Sequence, residues 1–175
     1  ARIAGVNGVR ADVQIDVIVS TGDANGSGMA ISTAANKTML PVDIAQGDRP
    51  LDAHEVALPE TMAERLHIAI GDTVSLSSGY ASDGDGKTTV DDVRVVGLTD
   101  DPNGAYSYWD GAIVASDDLI AGLEGLDDFD KVGVAAIYLD LAKDGDTVSA
   151  QTLDDALRLL PEHYGLTSRQ SISEE

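Results

Sequence analysis

The chain has no cysteine, which removes disulfides, thiol nucleophiles and thiolate metal sites together. It does not fix the compartment, because a domain of this size can bury enough core without cross-links. Bases are also scarce: 11 Lys and Arg stand against 31 Asp and Glu, for a net charge of −20. A nucleic-acid backbone is excluded as a partner, since that binding depends on cations neutralising phosphates. The longest apolar run, 132–139, falls far short of the roughly 20 residues that a membrane-crossing helix needs. No charged n-region, apolar h-region and small-residue cleavage site opens the chain, which begins at Ala1. Both ends are therefore expected to be cut points in a longer polypeptide.

Catalytic and cofactor signatures are missing as well. No Gly-x-Ser-x-Gly elbow is present, and the glycine-rich stretch 22–28 lacks the Gly-Lys-Ser/Thr ending of a phosphate loop. His54, His67 and His163 have no metal-ligand spacing among them. Ala81 to Asp92 is the nearest approach to a calcium loop, with Asp83, Asp85, Gly86 and Asp92 at positions 3, 5, 6 and 12. Position 1 is Ala81, position 12 is Asp, and the flanks read as strands, so a solvated hairpin tip is the expectation and no metal site is assigned. Paired acids such as Asp91-Asp92 and Asp127-Asp128 arise readily in so acidic a chain, and a hydrolase with an acidic site is the least supported function. The expectation is a non-enzyme with no cofactor.

The apolar pattern supports an α+β fold. Gly5 to Val9 reads as a turn-rich entry, and Val13, Ile15, Val17 and Val19 alternate as a half-buried strand. Gly22 to Gly28 reads as a loop joining that strand to an antiparallel one at Met29 and Ile31. A short strand is expected over 40–44, strands over 73–76, 88–98, 112–115 and 132–141, and a last one over 166–172. Ser116 with Asp117 and Asp118 announces a helix, and a second helix is expected over 152–160. Gly-Asp-Thr-Val occurs at 71–74 and again at 145–148, with unmatched flanks that argue against a repeat.

Acidity is uneven. Residues 1–50 carry five acids and four bases, whereas 51–175 carry 26 acids and seven bases. A solvated, self-repelling surface accounts for this, and a cation-rich partner is the alternative. Three of the seven aromatic residues, Tyr106, Tyr108 and Trp109, fall together in one polar segment. Such side chains either cap the core or anchor an interface, and they are the candidate binding residues.

The most informative stretch is 54–76, HEVALPETMAERLHIAIGDTVSL. It reads as strand, short helix opened by Pro59, turn at Gly71-Asp72, and strand, with Met62, Ala63, Leu66 and Ile70 as the apolar helix face. This block, with Val95-Val96-Gly97 in support, resembles the extracytoplasmic domain of MacB-like and FtsX-like ABC transporter permeases. The resemblance implies a two-lobed mixed sheet with short helices, a periplasmic-core-like domain covering 1–175. It places that domain on the outer face of the cytoplasmic membrane, between the first and second membrane helices of an integral membrane protein. It further implies a separate cytoplasmic ATPase subunit and a non-catalytic role. The domain would couple ATP hydrolysis to substrate export, lipoprotein release or activation of an envelope protein, with a dimer among the arrangements open to it. A binding or sensor module for cationic peptides is the alternative, motivated by the charge and by Tyr106 to Trp109.

Overall fold

The computed structural model describes residues 6–22, 24–33, 42–78, 88–100, 111–133, 136–141, 143–144 and 147–148. The expected helix over 152–160 and strand over 166–172 lie outside them. The chain divides into two compact units, Arg10–Tyr138 and the combination of Ala1–Val9 with Leu139–Glu175. Outside the main sheet the described elements form two-stranded pairs. β1 (Val6–Asp12) pairs with β9 (Ala136–Leu141), and β10 (Lys143–Asp144) forms an antiparallel hairpin with β11 (Thr147–Val148). The turn-rich entry expected at Gly5 to Val9 is thus largely strand, and the strand expected from Val132 starts at Ala136. Val132 itself follows a 3-10 turn, Phe129–Lys131, capped by the Asp128 carboxylate, which accepts from Asp130 N–H at 3.0 Å.

The larger unit is built on one mixed sheet. Its strands are β2 (Gln14–Thr21), β3 (Ala24–Ser32), β4 (Asp43–Gly47), β5 (Glu55–Pro59), β6 (Thr73–Ser78), β7 (Thr89–Asp100) and β8 (Ala112–Ala115). They run in the order β4-β7-β5-β8-β3-β2-β6, and β6 pairs back onto β7. Six strands therefore close into a barrel, and β4 extends the sheet from the same edge of β7 that β6 uses. One long strand makes this arrangement: β7 receives β6 along its first half and β4 along its second, with β5 on its other edge. Register shifts accompany each junction. Val96 is the extra residue opposite β5, Asp92 sits at φ 57 within the shift opposite β6, and Ala45 is extra on β4. Bulges of this kind sharpen twist and turn the corners that a small barrel requires.

Alternation decides which side chains fill the interior. Ile15, Val17 and Val19 of β2, Val74 and Leu76 of β6, Val93 and Val95 of β7, and Val56 and Leu58 of β5 belong to one buried cluster. On β3, β5 and β8 the opposite face is buried too, where Ile31, Ala57, Ala112 and Val114 join Val42 in a second cluster. That double burial explains why Ala112-Ile113-Val114-Ala115 is an unbroken apolar run while β2 alternates.

Two short helices pack into the interior cluster: α1 (Glu60–Leu66) and α2 (Asp117–Leu123). Each leaves the C-terminal end of a strand, α1 from β5 and α2 from β8. Because β5 and β8 are antiparallel neighbours, the helices leave at opposite ends of the barrel. Ser116 caps α2 as expected, its hydroxyl accepting from Leu119 N–H at 3.2 Å. Pro59 stands one position earlier than expected, at the N-cap of α1. Met62, Ala63 and Leu66 are buried, but Ile70 is not part of that face; Ile68 takes the inward place, and Ile70 is 43% exposed. The cause is the helix ending at Leu66, after which helical spacing no longer governs direction.

The glycine stretch of β3 is a second departure. Only Gly22 and Asp23 separate β2 from β3, and Asn25 to Gly28 are strand residues paired with β2. Glycine is favoured there by distant contacts: a Cβ on Gly26 would stand 2.9 Å from the flexible Arg65 tip, Nη2, and one on Gly28 would stand 2.7 Å from Ile113 Cδ1 and 3.2 Å from Met62 Cε. The bare strand backbone makes room for α1.

Candidate functional site

Tyr106, Tyr108 and Trp109 lie outside the described residues, as do Ala81, Asp83, Asp85, Gly86 and His163. The described flanks fix where the aromatic segment attaches. Thr99 Oγ1 donates to Ala112 O at 2.8 Å, and a Cβ on Gly111 would stand 2.8 Å from Pro59 Cβ. Both attachment points therefore sit at the barrel end from which α1 leaves. On the same side, Ile18, Asn25, Gly26, Ser27 and Arg65 line an open concavity of about 340 Å³. Its floor is the glycine-lined backbone of β3, and Arg65 donates to Asn25 O at 3.4 Å.

The two described histidines have structural surroundings. His67 is the left-handed residue that ends α1, at φ 56 and ψ 41. Its N–H donates to Glu64 O at 3.2 Å and Ile68 N–H donates to Ala63 O at 2.9 Å. This double closure is repeated at the end of α2, where Gly125 has φ 69 and the bonds run from Gly125 to Gly122 and from Leu126 to Ala121. A branched imidazole occupies in α1 the place glycine holds in α2. His67→Gly is accordingly expected to stabilise the domain by about 1 kcal/mol, read as a higher urea midpoint at unchanged slope; a lower midpoint would show that the imidazole is used elsewhere. His54, at the entrance to β5, is exposed, and its N–H donates to Asp52 Oδ1 at 2.8 Å.

Several acids are similarly engaged in local structure. Asp127 pairs with Lys131, and Asp72 Oδ2 accepts from Ala69 N–H at 2.8 Å, closing the turn before β6. Asp117 accepts from the buried Ser32 hydroxyl, joining α2 to the end of β3. Asp92, which falls at position 12 of the calcium-loop alignment, is an exposed left-handed bulge residue on β7. Among the described residues, no group of three His, Asp or Glu side chains is placed to hold a metal ion. Burial pushes the Asp16 carboxyl above its ordinary value, and its Oδ1 has no described hydrogen-bond partner. The sign follows directly: the folded state holds that proton more tightly, so ionising Asp16 opposes folding as pH rises through its folded pKa, and the cost vanishes in acid.

What the described residues present, then, is a barrel with helices at its two ends and side chains that serve the fold, with no cluster arranged for acid-base or nucleophilic chemistry. The architecture has a solved counterpart in the extracellular domain of the noncanonic ABC-type transporter YknZ from Gram-positive bacteria. The likeness has a TM-score of 0.52 at 12% sequence identity, over 81% of this chain and 68% of that one. The fold is that of a transporter's extracellular domain. No protein-family profile and no curated protein matches the sequence. Among the described residues no helix is long and apolar enough to cross a membrane.

Sequence reasoning missed one surface feature, the exposure of Leu51 and Ile70. The signal was weak but present. Leu51 is the lone large aliphatic in Asp48-Arg49-Pro50-Leu51-Asp52-Ala53-His54, and Ile70 follows a helix too short to turn it inward.

Proposed function

We propose that this chain is the extracytoplasmic, non-catalytic domain of an ABC transporter permease of the MacB-like and FtsX-like type, anchored in the cytoplasmic membrane by the polypeptide to which it belongs. The single observation that carries the reading is the structural likeness to the YknZ extracellular domain over most of the chain. The 54–76 block and Val95-Val96-Gly97 support the permease type, because they form the seam where β5, α1, β6 and β7 meet. Both compact units belong to the one domain in this reading.

The role that follows is mechanical. A cytoplasmic ATPase subunit supplies the energy, and the domain passes movement of the membrane helices to a substrate, lipoprotein or envelope protein. A closed barrel suits this work, since it transmits displacement without opening a sheet edge. Tyr106, Tyr108 and Trp109 are proposed as partner-contacting residues. The test is expression of the full-length parent gene with its candidate ATPase. The expected result is a membrane-bound protein that co-purifies with the ATPase, with residues 1–175 protected from protease on the cytoplasmic side only. A parent polypeptide that remains in the soluble fraction overturns the proposal.

A further inference from the structure

Among the described residues, two large apolar side chains remain exposed: Leu51 at 80% and Ile70 at 43%. They belong to two segments hydrogen-bonded to one stretch of β7, Arg94 to Val96. β4 occupies one edge of β7 and β5 the other, so residues 48–54 must cross β7 between them. That crossing is held by Asp48 N–H on Val96 O at 2.8 Å and by Arg94 N–H on His54 O at 2.8 Å. From the other direction the α1–β6 turn is held on the same stretch, with Gly71 N–H on Val95 O and Val95 N–H on Asp72 O, both at 2.8 Å. Ile70 reaches across to β4, its Cδ1 lying 2.8 Å from where a Gly47 Cβ would be. Leu51 is fixed by its N–H on Glu55 Oε2 at 3.1 Å, while the other Glu55 oxygen pairs with Arg94. Both aliphatic groups are thus presented by a firmly bonded backbone flanking Arg94 to Gly97.

The rim of this corner is acidic. Asp48, Asp52 and Asp72 are exposed around it; with Glu55 they outnumber the two arginines of the corner, Arg94, which Glu55 engages, and the half-buried Arg49, so the rim stays net negative. We propose that this corner is a docking surface for a basic, amphipathic polypeptide segment, which sets an aliphatic side chain between Leu51 and Ile70 and its Lys or Arg residues against the three aspartates. A second copy of this chain fits poorly, because an isologous contact would face the same aspartates with themselves on molecules each carrying −20. An anionic lipid surface is repelled on the same ground. An apolar centre with a charged rim is the usual anatomy of a specific contact, and here the rim selects the sign of the partner. The inference stands on this surface alone and does not depend on the transport reading.

The test is fluorescence anisotropy with a labelled peptide of alternating Lys and Leu, and an alternating Glu and Leu peptide as counterpart. The Lys peptide is expected to bind and the Glu peptide not to. Leu51→Ser and Ile70→Ser should each weaken binding by about tenfold through lost apolar contact, and Asp48→Asn by about twofold as a rim charge. Glu124→Gln, beyond α2 and next to Gly125 at the Thr88 end of β7, should leave binding unchanged. Because Leu51 is so exposed, Leu51→Ser is expected to keep the wild-type melting temperature, which separates lost docking from lost folding. Absence of Lys-peptide binding overturns the proposal. So does binding indifferent to Leu51→Ser but reduced alike by Asp48→Asn and Glu124→Gln, since that is diffuse attraction. Dimerisation in light scattering that Leu51→Ser abolishes, or flotation with phosphatidylglycerol vesicles, assigns the corner to another occupant and overturns it equally.

Discussion

Gly97→Ala is expected to lower the stability of the domain by about 3 kcal/mol, near the upper end of single-substitution effects, although it adds one methyl group. Gly97 and Gly47 face each other across the β4–β7 pair. A Cβ on Gly97 would stand 2.3 Å from Asp48 O and 3.1 Å from Gln46 O, and one on Gly47 would stand 2.3 Å from Val96 O. All three obstacles are main-chain carbonyls, which cannot swing aside as a side-chain tip does. The strand would have to separate from its neighbour, and the Asp48–Val96 hydrogen bond that starts the crossing would be lost with it. Gly47 carries a second requirement, a φ of +74, so Gly47→Ala combines the clash with a left-handed backbone. Gly97 has no such φ and gives the cleaner measurement. Gly122→Ala is the control: its Cβ would meet only Val90 Cγ2 at 4.0 Å, and in the last turn of α2 it should stabilise by about 0.5 kcal/mol. Urea unfolding of the three variants is the measurement. An unchanged midpoint for Gly97→Ala would mean that the 46–48 segment does not seat against β7.

How much of this was readable beforehand depended on whether the cause was local. The β2 alternation, the Ser116 cap with its two acids, and the strand-helix-turn-strand order of 54–76 are each set by neighbours in sequence, and each stands in the structure. The β3 glycines read as a loop because glycine usually breaks strands; their actual cause is close approach by α1, from residues 60–66, and at Gly28 by Ile113 of β8 as well. Ile70 was assigned to a helical face because spacing alone does not show that His67 ends the helix. Closure of the barrel was equally hidden, since it depends on register shifts at Ala45, Val96 and around Asp92 that leave no period in the sequence. The mixed sheet was legible and its closure was not. For the candidate site the same division holds: the acidity is plain in the composition, whereas the corner that gathers Leu51 and Ile70 exists only once β4 and β5 take opposite edges of β7.

Met62→Ala is expected to cost about 3 kcal/mol, because α1 is held chiefly by packing, its hydrogen bonds with Gln46 and Asn25 O being exposed. A helix of seven residues cannot persist alone in water, and its N-cap, Pro59, offers no side-chain hydrogen bond. Met62 is fully buried, and its Cε lies over Gly28 at the distance of a missing side chain. Its removal leaves a cavity between α1, β3 and Ile113 that the glycines cannot fill. The loss should be uneven. Hydrogen exchange is expected to quicken in α1 and in the 67–72 turn while the β2–β3 ladder stays protected, since opening α1 does not require the barrel to open. Gly28→Ala alone should also destabilise, through its 2.7 Å approach to Ile113 Cδ1 and 3.2 Å approach to Met62 Cε. Combined with Met62→Ala, however, the new methyl group enters vacated space and Ile113 gains room to turn, so the double variant should be less destabilised than the sum of the two singles by about 1 kcal/mol. Strict additivity would show that α1 does not rest on the bare backbone of β3, and the glycines there would then need another cause.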